Sequence, residues 1–292
     1  MLLSIVIANY NYGNFLATAI ESILSQSCRD FELIVVDGGS TDNSVEVIKR
    51  YAEKIKWWVS EPDEGQSDAF NKGFSHASGK FLTWLNADDV MLPQTIEKLR
   101  IAADKNPKCE WFSGGVIWVN EEMDVIRCSR ARRLSRLRAR YGIANVYGPS
   151  SFFTKDMYIR AGKIDKRFIY TMDSDLWLRF ALNEDETCLP FTDYAWCLRL
   201  HPMAKMSGHN FDKNGKLLKN AFTSEAQKRD REKSFRLNIE REMIEEKIQV
   251  RILKNMPTVV RLMSTAFIPA FMSAWDSFIH KGKYCWKLRK DA

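Results

Sequence analysis

The chain has 292 residues, of which 45% are hydrophobic and 12% aromatic, which is enough for a packed core and argues against a disordered protein. The formal net charge is +7, and residues 211–292 hold the excess, with 18 Lys and Arg against 10 Asp and Glu. Because residues 1–210 are close to neutral, we do not expect nucleic acid as a partner. A basic C-terminal segment suits an anionic membrane surface instead.

Cysteine usage and hydropathy point to a cytoplasmic protein. The six cysteines contain no C-x-x-C pair, so neither a zinc knuckle nor a disulfide framework is indicated. The apolar N-terminal run is short and lacks a basic flank, which favours a buried strand over a signal peptide. No run of 18 uncharged apolar residues is present, so no membrane span is expected.

Short apolar runs alternate with helical periodicity over residues 1–105. Such strands, apolar on both faces, are typical of a parallel sheet with helices on both sides. Ligands bind at the carboxyl ends of these strands, which here read IANYN, VVDGGSTD and WLNADD. The predicted strands lie at 2–8, 31–37, 57–61 and 80–86, and the predicted helices at 15–24, 41–51, 67–77 and 93–104.

Residues 106–210 have a mixed pattern of short strands and helices. Strands are predicted at 111–119, 150–153 and 195–200, and an arginine-dense stretch occupies 127–140. Residues 211–292 are expected to form a basic helical extension, with one helix from a cap at Ser224 to about Asn255. The predicted organisation is therefore a main domain over 1–210, with halves 1–105 and 106–210, followed by the extension.

The sharpest local signal is the acidic pair Asp88 and Asp89, directly after a predicted buried strand. Two adjacent carboxylates repel each other, and a hard divalent cation would offset that repulsion. Mg²⁺ or Mn²⁺ bound to a diphosphate fits such oxygen ligands. An acidic helix-capping loop is the alternative for the pair taken alone.

Three segments extend this signal: SIVIANYNYGNFLATAIESILSQ, FELIVVDGGSTDNS and SEPDEGQSDAFNKGFSHASGKFLTWLNADD. With them, the chain resembles the family 2 glycosyltransferases of the A-type nucleotide-sugar fold over residues 3–205. The resemblance implies an α/β fold with a mostly parallel central sheet flanked by helices. Residues 1–105 would form a Rossmann-like nucleotide-sugar-binding half, and residues 106–210 a mixed acceptor half.

The resemblance also implies an activity: inverting transfer of a hexose or N-acetylhexosamine from a nucleotide diphosphosugar to an acceptor hydroxyl, with Mn²⁺ or Mg²⁺ as the cofactor. UDP is the favoured nucleotide, and a bacterial polysaccharide or polyprenyl-diphosphate-linked glycan is the expected acceptor. Two alternatives are a catalytically weak binding or scaffold subunit and a sugar nucleotidyltransferase. The loop ANYNYGNF has one glycine and no Lys or Arg, which weighs against the nucleotidyltransferase.

In this family the Asp after the second strand binds the donor base, and here that residue is Asp37. Ala8, Asn9 and Tyr10 would line the same pocket. In the place of the family's DxD motif this chain has NADD, which begins with Asn86 instead of Asp. Asp88 and Asp89 would then make the ribose and metal contacts, and Asp88 is favoured as the direct metal ligand.

The segment EPDEGQSDAFNKG would touch the donor sugar and nucleotide. Asp63 and Lys72 are its candidates, with Gln66 and Asp68 beside them, and Lys72 is expected near the ribose or a phosphate. A turn followed by the end of a short helix is the structural alternative for these residues.

The block at 148–181 resembles the acceptor side of the family, in which a carboxylate at the head of a helix is the catalytic base. The match falls on Asp173, with Asp175 two residues later as the alternative. Removing the proton of the attacking hydroxyl is general-base catalysis. Acids at a helix N-terminus also complement the helix dipole, and Asp175 has Arg179 within pairing distance along a helix.

An Arg-x-His segment near the end of the catalytic region closes over the donor diphosphate in this family. Here it corresponds to Arg199 and His201, with His201 a candidate metal ligand and Lys205 a further phosphate contact.

The last expectation concerns residues 257–290, whose aromatic side chains and closing lysines suit an interfacial segment on anionic lipid. Peripheral attachment to the inner face of the cytoplasmic membrane would follow. Packing on the catalytic domain or against a second copy in a homodimer is the alternative. If residues 257–290 contact the membrane, the arginines at 127–140 would receive the phosphates of the acceptor. The alternative for these arginines is a solvated basic helix.

Overall fold

The computed structural model describes residues 1–140, 146–182, 187–205 and 229–238. The first half follows the predicted alternation of strands and helices. Its elements are β1 (Leu3–Asn9), α1 (Gly13–Leu24), β2 (Phe31–Asp37), α2 (Ser44–Arg50), β3 (Trp57–Ser60), α3 (Gln66–Ser75), β4 (Phe81–Asn86), β5 (Val90–Met91) and α4 (Thr95–Lys105).

The second half contributes longer strands and shorter helices. Its elements are β6 (Trp111–Val119), β7 (Val125–Ser129), α5 (Arg136–Arg140), β8 (Ser151–Thr154), α6 (Lys155–Arg160), α7 (Met172–Leu182) and β9 (Leu189–Arg199). Residues 229–238 form a further helix, α8. The predicted helix cap at Ser224, the domain boundary at 210 and the segment 257–290 lie outside the residues that the structure describes. These expectations stay predictions.

Nine strands of the described chain form one mixed sheet in the order β3-β2-β1-β4-β8-β6-β9-β5, with β7 beside β6. The strands β3, β2, β1 and β4 are mutually parallel, and β9 is parallel to β6. The strand β8 is antiparallel to both β4 and β6 and joins the two halves, so that β6 and β9 run in the same direction as β1 to β4. The short strand β5 is antiparallel to β9, and β7 is antiparallel to β6. The mostly parallel sheet flanked by helices is confirmed.

Burial explains why these segments form these elements. β1 is apolar on both faces because helices cover both sides of it, and Ile5, Val6 and Ile7 are fully buried. α1 buries one stripe, including Leu16 and Ile20, against the sheet. On the other face, aromatic side chains from both halves pack together, joining the halves into one core.

Two elements differ from the predicted ones. β9 begins at Leu189 rather than at 195, because its first residues are partly exposed and do not read as a buried strand. β5 has only two residues, too few for any periodicity, yet it pairs with β9 through Val90 and Cys197. In the described ranges, no helix combines the length and the apolar character needed to cross a membrane.

Candidate active site

The carboxyl ends of β1, β2, β3 and β4 lie side by side because the strands pair in register. Asn9 is paired with Asp37, Asp37 with Ser60, and Ala8 with Asn86. The sheet therefore brings together the polar segments that the sequence placed at strand ends. Ala8 is partly buried, whereas Tyr10 is 60% exposed, which leaves its ring open for stacking.

Asp88 and His201 meet at the end of β4. The Nε2 atom of His201 lies 3.0 Å from the Oδ2 atom of Asp88, and the side chains are 1% and 14% exposed respectively. The chain separation of 113 residues shows that the return along β9 delivers the histidine to this carboxylate. The predicted metal candidates Asp88 and His201 are thus neighbours.

Aromatic side chains of the β1–α1 connection hold this histidine in place. The Phe15 ring centroid lies 4.6 Å from that of His201, and Tyr12 meets the imidazole edge-on at 5.7 Å. The Tyr12 hydroxyl donates to the carbonyl of Met203 at 2.8 Å, and the Arg199 guanidinium lies over Phe15 at 5.0 Å. Burial and the nearby acidic pair raise the pKa of Tyr12 to about 12, so the phenol stays a donor.

Asp89 has a different environment from its neighbour. It is 2% exposed; its Oδ1 accepts from the backbone N–H of Arg199 at 2.9 Å, and its Oδ2 accepts from Asn86 Nδ2 at 2.7 Å. Burial and the charge of Asp88 raise its pKa well above the usual value. Both oxygens accept hydrogen bonds within the protein, so a direct contact of Asp89 with metal or ribose stays a prediction. Its contacts fasten the end of β9 to the NADD loop.

The Asp88–His201 pair fits a divalent cation in chemistry, since one carboxylate and one imidazole are ordinary ligands of Mn²⁺. Across the described ranges, no group of three His, Cys, Asp or Glu side chains converges into a complete metal site. The donor set is therefore a partial one, which diphosphate oxygens and water would complete.

Asp37 lies at the end of β2 but is fully buried. Its Oδ1 accepts from Asn9 Nδ2 at 2.6 Å and Ser40 Oγ at 2.5 Å, and its Oδ2 accepts from the Ser40 N–H at 2.9 Å and Ser60 Oγ at 2.6 Å. Burial acts to raise its pKa, but the four donors outweigh burial and lower it. Because four donors occupy its two oxygens, Asp37 organises the strand ends, and its contact with the donor base stays a prediction.

The segment after β3 reaches the site through α3. Gln66 Nε2 donates to Asn86 Oδ1 at 2.9 Å, and Lys205 Nζ donates to Gln66 Oε1 at 3.2 Å. Lys205 Nζ also lies 5.9 Å from the ring centroid of Tyr170, close to the acceptor half. A hydrogen-bonded line therefore connects the Arg-x-His segment, α3 and the NADD loop.

The other candidates on that segment have surface partners. Lys72 Nζ is 2.7 Å from Glu61, and Asp68 pairs with Lys166 at 3.0 Å. Asp63 accepts from the Gly65 N–H at 2.8 Å. None of these contacts joins Lys72 or Asp68 to the acidic pair, so their roles toward donor sugar or phosphate stay predictions.

Asp173 is the second residue of α7 and faces the sheet. A Cβ atom built on Gly148 would lie 3.4 Å from Asp173 Oδ2 and 3.2 Å from the Trp84 ring, so both side chains border Gly148. Trp84 lies in β4, two residues before the NADD loop. Burial raises the pKa of Asp173, although the Ser174 N–H donates to it at 2.6 Å. A carboxylate with a raised pKa in this position suits a general base.

Asp175 is occupied by structural contacts. Its Oδ2 accepts from Arg179 at 2.9 Å, and its Oδ1 accepts from Ser234 Oγ at 2.9 Å and Asn238 Nδ2 at 3.0 Å. This set explains the carboxylate as the anchor of α8, and the role of Asp175 as the alternative base stays a prediction. Asp230 adds to the anchor by accepting from the N–H groups of Ile169 and Tyr170.

Asp175→Ala is expected to destabilise the protein by about 3–5 kcal/mol, because it removes the carboxylate that pairs with the buried Arg179 guanidinium and accepts from Ser234 and Asn238 of α8. Urea denaturation measures the change. The control Asp104→Ala removes an exposed carboxylate and should shift stability by no more than about 0.5 kcal/mol. Equal midpoints for the two variants would contradict the anchoring role.

Sequence reasoning missed Tyr12, Phe15, Ser40 and Ser60, which position the site. Aromatic residues after a strand read as core, and serines at strand ends read as turns. Only the adjacency of these residues to IANYN and VVDGGSTD could have signalled a role.

Solved structures with the same fold are nucleotide-sugar transferases. The chain matches TarS of S. aureus in complex with UDP-GlcNAc at a TM-score of 0.56 and 15% identity, over 87% of this chain and 69% of that one. It matches the mannosyltransferase PcManGT of Pyrobaculum calidifontis, in complex with GDP-Man and Mn²⁺, at a TM-score of 0.51 and 20% identity, over 67% and 56% of the chains. At these identities the likeness establishes the A-type glycosyltransferase fold.

The family model "Glycosyl transferase family 2" matches residues 4–162, more than half of the chain, and the chain belongs to this family. An uncharacterized glycosyltransferase of Nostoc sp. is 43% identical over 34% of this chain and 32% of its own length. An uncharacterized glycosyltransferase of Methanocaldococcus jannaschii is 27% identical over 63% of this chain and 66% of its own length. The chain thus spans between about a third and two thirds of these relatives' lengths.

Proposed function

We propose that the protein transfers a hexose or N-acetylhexosamine from a nucleotide diphosphosugar, with UDP as the favoured nucleotide, to an acceptor hydroxyl with inversion at the anomeric carbon. The observation that carries the proposal is the placement of two carboxylates: Asp88, just after β4, is paired with His201, and Asp173, at the start of α7, borders Gly148 together with Trp84 of β4. One carboxylate faces the diphosphate side and the other the acceptor side. TarS with UDP-GlcNAc supports the donor class.

Asp88 and His201 would hold a divalent cation, Mn²⁺ or Mg²⁺, which neutralises charge on the leaving diphosphate when it is bound. The Arg199 guanidinium, held over Phe15, adds positive charge at the same edge. Lys205, which donates to Gln66 and lies 5.9 Å from the Tyr170 ring, would contact a donor oxygen.

Asp173 would take the proton of the acceptor hydroxyl as that oxygen attacks the anomeric carbon. Its raised pKa increases its basicity, and its attachment to Ser174 fixes one oxygen while the other faces Gly148. Attack from the side opposite the leaving nucleotide is what gives inversion.

The test is release of nucleoside diphosphate from a panel of UDP- and GDP-sugars with a polyprenyl-diphosphate-linked sugar as acceptor. We expect turnover of one donor and a product with the opposite anomeric configuration by NMR. Retained configuration would contradict inversion, and a chain that turns over no donor would support the scaffold alternative.

The polyprenyl-linked acceptor, the bacterial surface-glycan role and attachment to the cytoplasmic face of the membrane are part of the proposal. They rest on the cations and aromatic residues of 257–290 and on the arginines at 127–140. Within the described part of that arginine stretch, Arg127 lies over Trp118 at 4.8 Å and Arg130 lies 3.8 Å from Asp193. Salt-sensitive co-sedimentation with anionic liposomes tests the attachment.

A further inference from the structure

Gly38, the first residue after β2, is a glycine for reasons of space. Its backbone φ is not in the left-handed region, whereas that of the next residue, Gly39, is +81°. Any side chain could adopt the backbone of Gly38. What fills its side-chain position is the carboxylate of Asp63, whose Oδ2 lies 2.8 Å from where a Cβ would stand. The glycine therefore lets the Asp63 carboxylate rest on the end of β2.

One oxygen of this carboxylate is available. Asp63 Oδ1 accepts from the Gly65 N–H at 2.8 Å, and Oδ2 accepts no hydrogen bond within the described ranges. Asn9, which is 3% exposed, likewise has an Oδ1 atom without a partner in that part of the chain. The neighbouring Asp37 has four donors and is closed. The acceptors left at this edge belong to Asp63 and Asn9.

The distance between Asp63 and Asp88 determines which part of a bound nucleotide would lie near Asp63. β2 lies two strands from β4, which is a separation of about 10 Å. A diphosphate at Asp88 and His201 would leave the far end of the nucleotide over β1 and β2. A carboxylate only accepts hydrogen bonds and repels phosphate, so it selects an N–H group there.

We propose that Asp63, seated in the space left by Gly38, recognises the ring N–H of the donor base. The inference rests on the function proposed above and deepens it. Uracil presents this donor at N3 and guanine at N1, whereas cytosine presents a lone pair at N3 and is disfavoured by a carboxylate. The donor base is therefore uracil-like or guanine, and Asp63 determines the preference for these bases over cytosine.

Calorimetric titration of the full chain with UDP, GDP and CDP in the presence of Mn²⁺ tests the proposal. We expect wild type to bind UDP or GDP at least about tenfold more tightly than CDP. Asp63→Asn keeps the Oδ1 contact with Gly65 but turns Oδ2 into a donor. It should weaken the preferred nucleotide about 10- to 100-fold, the scale of one hydrogen bond to a charged group, and remove the preference over CDP.

Two further variants sharpen the result. Gly38→Ala places a methyl group against Asp63 Oδ2 and should reduce discrimination in the same direction. Glu64→Gln removes one negative charge from the same loop, where Glu64 pairs with Lys166, and should change affinity less than twofold.

Undiminished discrimination against CDP in folded Asp63→Asn would overturn the inference. Wild type that binds none of the three nucleotides would instead contradict the proposed function, so the two failures are distinguishable.

Discussion

Asp173→Asn is expected to lower turnover about 100-fold or more while donor affinity changes less than twofold. The substitution keeps the size of the side chain but removes the group that would accept the acceptor's proton, and general-base catalysis contributes on this scale. The side chain borders Gly148, and no hydrogen bond in the described ranges joins it to Asp88 or His201, so donor binding should be spared. Steady-state turnover and calorimetric donor affinity measure the two effects.

The pH dependence separates a base from a merely structural aspartate. A carboxylate accepts a proton only when ionised, and burial raises the pKa of Asp173. Turnover of wild type should therefore fall as pH drops through a pKa above 3.8 and be restored above it. The residual activity of Asp173→Asn should lack that acid limb. The exposed Asp156→Asn serves as the control, and near-normal turnover of Asp173→Asn would remove the base assignment.

Asp88→Ala is expected to abolish the Mn²⁺ dependence of donor binding and to weaken that binding by about 100-fold, because only one protein ligand, His201, would remain at the edge of β4. The fold should persist, since Asp88 is the more exposed member of the acidic pair. Calorimetry with and without Mn²⁺ gives the affinities, and circular dichroism gives the fold.

Asp89→Asn is the matched comparison on the neighbouring residue. Its side chain bonds the Arg199 N–H and Asn86, so the expected result is lower stability with Mn²⁺ dependence retained. If Asp89→Asn lost its Mn²⁺ dependence while Asp88→Ala kept it, Asp89 would be the metal ligand and Asp88 the structural residue.

Much of the fold could be predicted because β1 to β4 are continuous apolar runs between amphipathic helices. These patterns can be read from the sequence because the order of apolar and polar residues follows which positions are buried. The two-residue β5 and the polar start of β9 carry no such pattern. The anchoring of α8 on Asp175 joins residues about sixty positions apart, and local periodicity contains no information on such a pair.

The candidate site divides in the same way. Strand ends identify Asp37 and Asp88 as residues near the chemistry, and the family resemblance identifies Asp173 at the head of a helix. They do not tell whether a carboxylate's oxygens are free, because this depends on which donors the folded chain brings to it. Ser60 closes Asp37 from a neighbouring strand, and Gly38 makes room for Asp63 from a loop more than twenty residues later.

If the proposed function is right, the edge of the sheet at Asp88 binds a nucleotide diphosphosugar with a divalent cation. Calorimetric titration of the full chain with UDP-, GDP- and dTDP-sugars, each with Mn²⁺ and with a chelator, measures this binding. We expect saturable binding of at least one donor in Mn²⁺ and at least a tenfold loss of affinity in chelator. Failure to bind any of these donors in the presence of Mn²⁺ would contradict the proposed function.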